Sequence, residues 1–192
     1  SGARFDKKVT FQCALFCGEA KFYKTIFKDE VNFQGGNHNE SATTFKGRAY
    51  FCSTSFRKYA NFKNVVFESE VSFDTYRNNP TVFEEGVGFQ EANFMRCDYH
   101  YSIFKKGADW RGAVVKSSNF RHALFNIKLA KKGRVVFSEH TEVGSNGLPE
   151  GAEWAEFEPT EHLTPVKSRE QNHPQLNGTN RKHEYYYGDY PL

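Results

Sequence analysis

Thiol and imidazole side chains are the first candidates for chemistry in this chain, because both bind metals and thiols also carry redox reactions. The four cysteines are Cys13, Cys17, Cys52 and Cys97, and no two of them have the Cys-x-x-Cys spacing of a zinc or redox motif. The seven histidines are scattered along the chain. The sequence therefore favours unpaired, reduced thiols over the alternatives of disulfides or a metal site, and it predicts no cofactor.

Sequence motifs of catalysis are missing as well. The chain contains no Gly-x-Ser-x-Gly turn, phosphate-binding loop, His-Glu-x-x-His motif or dinucleotide-binding fingerprint. The acids Asp29–Glu30 and Glu84–Glu85 are direct chain neighbours, whose side chains point in different directions rather than across a cleft. We therefore expect no enzyme activity and assign no catalytic residue.

Two polar stretches are the strongest candidates for a binding site. Residues 34–41 read Gln-Gly-Gly-Asn-His-Asn-Glu-Ser, and residues 74–80 read Asp-Thr-Tyr-Arg-Asn-Asn-Pro. Gly, Asn and Pro at this density indicate loops, and loops on a rigid scaffold often carry binding residues. Two interpretations stay open: tolerated bulges in the wall of the fold, or a recognition surface. That surface would consist of Asn37, His38, Asn39, Tyr76, Arg77 and Asn78.

The C-terminal segment is a further candidate for binding. From Pro159 the chain is polar and rich in Pro, His, Asn and Tyr, and it ends with the tyrosines Tyr185, Tyr186, Tyr187 and Tyr190. A segment of this composition cannot build a core of its own. We expect residues 159–192 to form an extended tail, with those tyrosines docked on the chain's own fold or on a neighbouring molecule.

The elements that position these candidates are set by a repeated phenylalanine. Eighteen of the 20 Phe recur between Phe5 and Phe125, mostly five or six residues apart. Two residues before each of the eighteen stands Ala, Val, Thr or Ser. Tyr99, Trp110 and Val115 occupy places where a Phe would continue the series. Such a repeat indicates a solenoid, in which every unit buries the same shape against its neighbours.

The spacing also decides which backbone builds the solenoid. In an α-helix, at about 100° per residue, steps of five and six residues would place the Phe on two separate stripes. A short strand followed by a corner fits better, with the Phe and the small residue two before it pointing inward. Four such sides close a square coil of about 20–22 residues, and the coils stack at about 4.8 Å.

Counting one inward aromatic per side gives about six coils and two missing positions. Asn39 and Asn78 stand at those positions, so each polar loop is expected to replace one side of a coil. The two sides are neighbours in this count, which places the loops near each other. The same count stacks Phe51 on Phe27.

Stretches such as Ala20-Lys-Phe22-Tyr-Lys-Thr25-Ile-Phe27 and Ala60-Asn-Phe62-Lys-Asn-Val65-Val-Phe67 resemble the pentapeptide-repeat proteins, in the variant that alternates five- and six-residue units. The resemblance covers residues 3 to about 128. It implies an all-β fold, the right-handed quadrilateral β-helix, here a solenoid of about six coils. It implies little about function, because the family has no shared catalytic motif.

The predicted domain organisation has three parts. Residues 3–132 form the β-helix. Residues 133–158 form a C-terminal cap, in which 133–137 adds a last strand and Trp154 and Phe157 plug the open end. Residues 159–192 form the extended tail.

The charge distribution limits the possible partners. Residues 1–132 have a net charge of +8 and residues 133–192 of −5, which together give the chain its +3. The resemblance offers one known activity, inhibition of a type II topoisomerase by DNA mimicry, but a mimic needs a strongly negative surface. Acids alternate with bases along the repeat, so we expect no nucleic-acid partner. No stretch approaches about 18 consecutive apolar residues, so we expect no transmembrane segment.

The sequence thus predicts a non-enzymatic structural or protein-interaction scaffold. It could assemble through its solenoid ends and tail into a homo-oligomer or, by head-to-tail contact, a filament. The alternative is a β-helical recognition domain of a larger protein, such as a bacterial effector or a membrane-associated protein, since related β-helices occur in both. Unpaired cysteines and the lack of a visible signal peptide favour the cytoplasm.

Overall fold

The computed structural model describes residues 2–36 and 41–157, and the structural statements below concern those residues. They form short β-strands and one 3₁₀ helix, Ile127–Lys132. The strands are β1 (Arg4–Phe5), β2 (Val9–Thr10), β3 (Leu15–Phe16), β4 (Ala20–Lys21), β5 (Ile26–Phe27), β6 (Val31–Asn32), β7 (Thr43–Phe45), β8 (Ala49–Tyr50), β9 (Ser55–Phe56), β10 (Ala60–Asn61), β11 (Val65–Ser72), β12 (Val82–Phe83), β13 (Val87–Gly88), β14 (Asn93–Asp98), β15 (Ile103–Phe104), β16 (Ala108–Asp109), β17 (Val114–Val115), β18 (Ser118–Asn119), β19 (Leu124–Asn126), β20 (Val135–Val136) and β21 (Glu153–Ala155).

The strands stack into a four-sided solenoid. The first face contains β1, β5, β9, β12, β15, β19 and β21, and the second contains β2, β6, β10, β13, β16 and β20. The third face contains β3, β7, β17 and the first halves of β11 and β14, and the fourth contains β4, β8, β18 and their second halves. Every strand pair is parallel, because equivalent sides of successive coils run in the same direction. The prediction of an all-β, four-sided solenoid of about six coils is confirmed.

Four columns of stacked rings fill the interior, one behind each face. They are Phe5–Phe27–Phe56–Phe83–Phe104–Phe125 on the first face, Phe11–Phe33–Phe62–Phe89–Trp110–Phe137 on the second, Phe16–Phe45–Phe67–Phe94 on the third and Phe22–Phe51–Phe73–Tyr99–Phe120 on the fourth. Within a column the centroid spacing follows the distance between coils, for example 4.8 Å from Phe56 to Phe83.

The predicted stacking partners were wrong above the first loop. Phe27 stacks on Phe56, with ring centroids 5.3 Å apart, and not on Phe51. No side of a coil is missing: Phe33 lies on the second face and Phe45 on the next face along the chain. The polar loop between them is therefore an enlarged corner. The same holds for the second loop, between Phe73 on the fourth face and Phe83 on the first.

Two kinds of corner explain the alternation of five and six residues. After the second and fourth faces, the residue two beyond the inward aromatic has a left-handed backbone, as in Cys13, Lys24, Asn64 and His122, with φ between 55° and 58°. These corners span five residues from aromatic to aromatic, for example Phe22 to Phe27. Corners after the first face need six, as in Phe27 to Phe33. Both loops replace corners of the five-residue kind.

Small residues two before each aromatic complete the interior. Ala60, Val65 and Ala92 are fully buried, and so are several hydroxyl residues in equivalent places. Four of these hydroxyls, on Thr43, Thr54, Thr81 and Ser102, donate to a backbone carbonyl in a neighbouring coil; Thr54 Oγ1, for example, donates to the Phe22 carbonyl at 2.7 Å, and Ser102 Oγ to the Phe73 carbonyl at 2.8 Å. A buried Thr or Ser is tolerated here because its hydroxyl is satisfied.

The C-terminal end of the solenoid is closed by a cap. The predicted last strand is present as β20, which pairs with β16 and places Phe137 5.1 Å from Trp110. Trp154 lies on β21 above Phe125 and donates its indole N–H to the Asn146 carbonyl at 2.9 Å. Leu148 and Ala152 are buried in the same cap. Among the described residues no helix has the length and apolar character needed to cross a bilayer.

Candidate functional site on the fourth face

The first predicted loop lies largely outside the described residues, and this includes Asn37, His38 and Asn39. Its described base is held at the corner between the second and third faces, where the Gly36 N–H donates to the Ser41 carbonyl at 3.3 Å. The second loop starts at the corner between the fourth and first faces. These corners are diagonally opposite, so the expectation that the two loops lie on neighbouring sides was wrong.

The second loop contains a tight hairpin formed by Tyr76, Arg77, Asn78 and Asn79. Tyr76 and Asn79 exchange backbone hydrogen bonds of 3.2 and 3.3 Å. Arg77 and Asn78 both have a left-handed backbone, with φ of 53° and 61°. Two successive positive φ angles are typical of a type I′ turn, in which Asn is favoured and Arg is strained.

Side chains of the neighbouring coil fix this hairpin to the solenoid. Ser53 Oγ accepts from the Tyr76 N–H at 2.8 Å, and its single proton is shared between the carbonyls of Asn79 (2.6 Å) and Tyr76 (3.0 Å). At the base of the loop, Thr81 Oγ1 donates to the Asp74 carbonyl at 3.1 Å. The hairpin is therefore held in one position rather than joined only by its ends.

The fixed hairpin presents a cationic and aromatic surface. Arg77, Asn78 and Asn79 are exposed. The Arg77 guanidinium lies 5.2 Å and the Lys24 ammonium 4.8 Å from the centre of the Tyr76 ring, both within cation–π range. We call Lys24, Tyr76, Arg77 and Asn78 the hairpin surface. Three of the six predicted site residues thus lie together.

Below the hairpin surface lies a group of buried and half-buried titratable side chains. Asp74 is 9% exposed, and burial raises the pKa of its carboxyl to about 6. His100 Nδ1 lies 3.5 Å from Asp74 Oδ1, and burial lowers the pKa of this imidazole. Burial also raises the pKa of Asp98, which accepts from the His100 N–H at 2.9 Å. Near neutral pH this places an ionised Asp74 beside a neutral His100.

The Asp74 carboxylate is held by Thr75 and His100 on a convex wall, and the interior behind it is filled by Phe73 and Tyr99. Among the described residues no three His, Cys, Asp or Glu side chains are placed to share a metal ion. All four cysteines are free thiols; Cys13 and Cys17 are exposed, whereas Cys52 and Cys97 are buried.

Asp74, His100 and Lys24 were not among the site residues that the sequence predicted. Asp74 and His100 both directly follow the inward aromatic of the fourth face, so they stack one above the other. The correct stacking of coils would have predicted that these two side chains are neighbours. The predicted stacking was shifted, because each loop was counted as one side of a coil. The predicted tail residues Tyr185, Tyr186, Tyr187 and Tyr190 lie outside the described residues.

No protein-family model, no curated protein and no solved structure matches the chain.

Proposed function

We propose that this chain is a non-enzymatic protein-interaction scaffold of the pentapeptide-repeat type, which uses the hairpin surface to bind an acidic segment of a partner protein. The observation that carries the proposal is the fixed hairpin: two cations flank one tyrosine ring, on a loop anchored by Ser53 and Thr81. Pre-ordered loops lose less entropy when they bind. Guanidinium and ammonium groups over an aromatic ring favour carboxylate-bearing partners.

The family assignment is part of the proposal. It is supported by the two inward residues per side and by the five- and six-residue corners, which are features of sequence and geometry together. The same hairpin surface would serve a free-standing scaffold or a recognition domain within a larger protein.

A displayed library of random peptides, selected on the full chain, tests the binding role. We expect acidic peptides to be enriched and to bind the Arg77→Glu variant at least about tenfold more weakly. Arg57→Glu is the matched control, because Arg57 is also exposed but lies on a corner away from the hairpin. Enriched peptides that bind all three proteins equally, or no enrichment at all, would contradict the proposal.

A second candidate function, self-assembly, is favoured by the first coil. Phe5, Phe11, Phe16 and Phe22 are only half-buried there, whereas their counterparts one coil further are buried. Leu15 on the same coil is 57% exposed. Exposed apolar groups at one end suit contact with another molecule. Sedimentation velocity up to about 100 μM should then show a concentration-dependent oligomer; a monomer throughout would rule this candidate out.

A further inference from the structure

The corner that follows the first face carries charges whose sign alternates from coil to coil. From the first coil to the fifth, this corner contains in turn the pairs Lys7-Lys8, Asp29-Glu30, Arg57-Lys58, Glu84-Glu85 and Lys105-Lys106. Opposite signs meet between coils: Lys8 Nζ lies 2.7 Å from Glu30 Oε2, and Lys106 Nζ lies 2.8 Å from Glu85 Oε2. Each row of charge is therefore balanced by the row next to it.

The alternation ends at the sixth coil. An acidic row would come next above Lys105 and Lys106, but residues 127–134 read Ile-Lys-Leu-Ala-Lys-Lys-Gly-Arg, with four cations and no acid. Hydrogen bonds place this stretch directly above the fifth coil: Asn126 Nδ2 donates to the Lys105 carbonyl at 2.9 Å, and the Ala108 N–H donates to the Arg134 carbonyl at 3.0 Å. Two cationic rows therefore follow each other. We call residues 127–134 the basic corner.

The basic corner is also longer than the corners below it. The five earlier corners after the first face each advance the chain by six residues from aromatic to aromatic, whereas this one advances it by twelve, from Phe125 to Phe137. The additional length forms the 3₁₀ helix Ile127–Lys132. Asn126 Oδ1 caps the helix by accepting from the Lys128 N–H at 3.0 Å, and Gly133 ends it with a left-handed backbone, at a φ of 57°.

The exposed side of this helix is both cationic and apolar. Leu129 is buried and holds the helix against the core. Lys128 and Lys132 are exposed, and Ile127 beside them is 43% exposed. The corner thus presents an aliphatic side chain among cations.

The net charge of the solenoid is concentrated at this end. Residues 1–104 contain 13 Lys and Arg against 12 Asp and Glu, a net charge of +1, whereas residues 105–134 contain 9 against 1, a net charge of +8. Glu142 and Glu150 of the cap line a groove beside the third and fourth faces, away from the basic corner. The strand register places Glu156 next to Ile127, so that one acid faces the four cations.

A membrane surface with anionic lipids fits this combination of groups. Clustered lysines and arginines are attracted to acidic headgroups, and an exposed aliphatic side chain among them enters the boundary between headgroups and acyl chains. A single-stranded nucleic acid fits less well, because surfaces that bind it add aromatic side chains that stack on the bases, and residues 127–134 contain none.

From the broken alternation, the enlarged corner and the exposed side of its helix, we infer that the basic corner docks on a membrane surface that carries anionic phospholipids. The contact is peripheral: Lys128, Lys132 and Arg134 meet the headgroups, and Ile127 enters the boundary below them. This inference goes beyond the proposed function, since the hairpin surface lies on a different corner.

Co-sedimentation of the full chain with vesicles tests the inference. We expect binding to vesicles of phosphatidylcholine and phosphatidylserine, and none to phosphatidylcholine alone. Lys128→Glu/Lys132→Glu should weaken binding at least about 30-fold. Ile127→Asn, which keeps every charge, should weaken it about three- to tenfold. Arg57→Glu/Lys58→Glu is the matched control, with the same change of charge at the same corner of the third coil, and it should bind within about threefold of the wild type.

Three results would overturn the inference. The first is no phosphatidylserine-dependent binding of the wild-type chain. The second is an equal loss in the two double variants, which would mean that overall charge acts and not this corner. The third is binding to duplex DNA or polyglutamate at concentrations that leave the vesicles unbound, which would assign the corner to another anion. None of these results affects the peptide test of Arg77, so the two proposals can fail separately.

Discussion

The interior of the solenoid and the outer wall of its fourth face follow opposite rules. Inside, every coil repeats the same two inward residues per side, so that Phe62 and Phe89 have similar surroundings in successive coils. Outside, equivalent positions of the fourth face carry Tyr23, Cys52, Asp74 and His100, four side chains with different chemistry. Repetition therefore specifies the scaffold, and the departures from repetition specify what the scaffold can bind.

The difference has an energetic basis. An interior residue packs against the coils above and below, so a substitution there removes contacts with both. An outer residue contacts mainly water and its column neighbours, and ion pairs such as Lys8–Glu30 are exposed on both sides. The fourth face is the exception, because Asp74 and Ser53 are tied into the wall beneath the hairpin.

The largest effect is expected from Phe62→Ala in the middle of the second column. Phe62 is fully buried, so the variant should lose about 3–5 kcal/mol of unfolding free energy in urea titrations. Lys63→Ala, on the adjacent outward position, should change it by less than about 0.5 kcal/mol. Phe11→Ala, in the same column but half-buried, should fall between them. Equal losses at Phe62 and Lys63 would contradict the division into interior and wall.

Ser53→Ala should have the next largest effect, because it removes the hydroxyl that accepts from the Tyr76 N–H and donates its proton to the Asn79 and Tyr76 carbonyls. We expect a loss of about 1–3 kcal/mol in the same titration and faster amide exchange at Tyr76. Ser55→Ala, two residues along on the first face, is the control. If the Tyr76 amide exchanged at the wild-type rate in Ser53→Ala, the hairpin would not depend on this anchor.

Asp74→Asn should remove the part of the pH dependence of stability that comes from this carboxyl. The carboxyl pKa is raised to about 6 in the folded chain, so its contribution is fully present below about 4 and is lost as the pH rises through 6. At pH 7.5 the variant should therefore be more stable by about 1 kcal/mol, a value reduced for the water that still reaches this side chain. Below pH 4 the gain should vanish.

His100→Asn is the matched variant with the opposite sign. Burial lowers the pKa of this imidazole, so in the wild type its contribution is lost as the pH falls through the folded value. The variant should be less sensitive to acid than the wild type between pH 7.5 and 5, as measured by thermal unfolding. If both variants shifted the profile in the same direction, the assigned protonation states would be wrong.

The smallest effect is expected from a pair of threonines at the two ends of the loop. Thr75 Oγ1 is buried without a hydrogen-bond partner among the described residues, so Thr75→Val should stabilise the chain by about 1 kcal/mol. Thr81→Val should destabilise it by a similar amount, because Thr81 Oγ1 donates to the Phe51 and Asp74 carbonyls. Urea titration of the two variants should give opposite signs; the same sign would contradict this account of the loop.

Much of the fold could be predicted because its signal is repeated about twenty times. Each Phe and each small residue before it is weak evidence alone, but together they fix which side chains point inward. The stacking partners could not be predicted, since a loop of unknown conformation can replace a whole side or enlarge one corner. For this reason the predicted stacking of coils is wrong after Gln34, and so is the predicted position of the two loops relative to each other.

The candidate site was predicted only in part for the same reason. Tyr76, Arg77 and Asn78 were identified because they interrupt a repeat, which is a local signal. Lys24 and His100 look like ordinary outward residues in the sequence, since their partners lie about 50 and 26 positions away.

The sequence by itself determined the all-β solenoid, its four sides and the identity of its interior residues, because a period of five and six residues leaves one backbone that buries every Phe. The tertiary structure decided which coils stack, that the loops are enlarged corners on opposite edges, and that Asp74, His100 and the hairpin meet on one face. Those contacts join coils far apart in the chain, and their positions depend on loop conformations that no local pattern encodes.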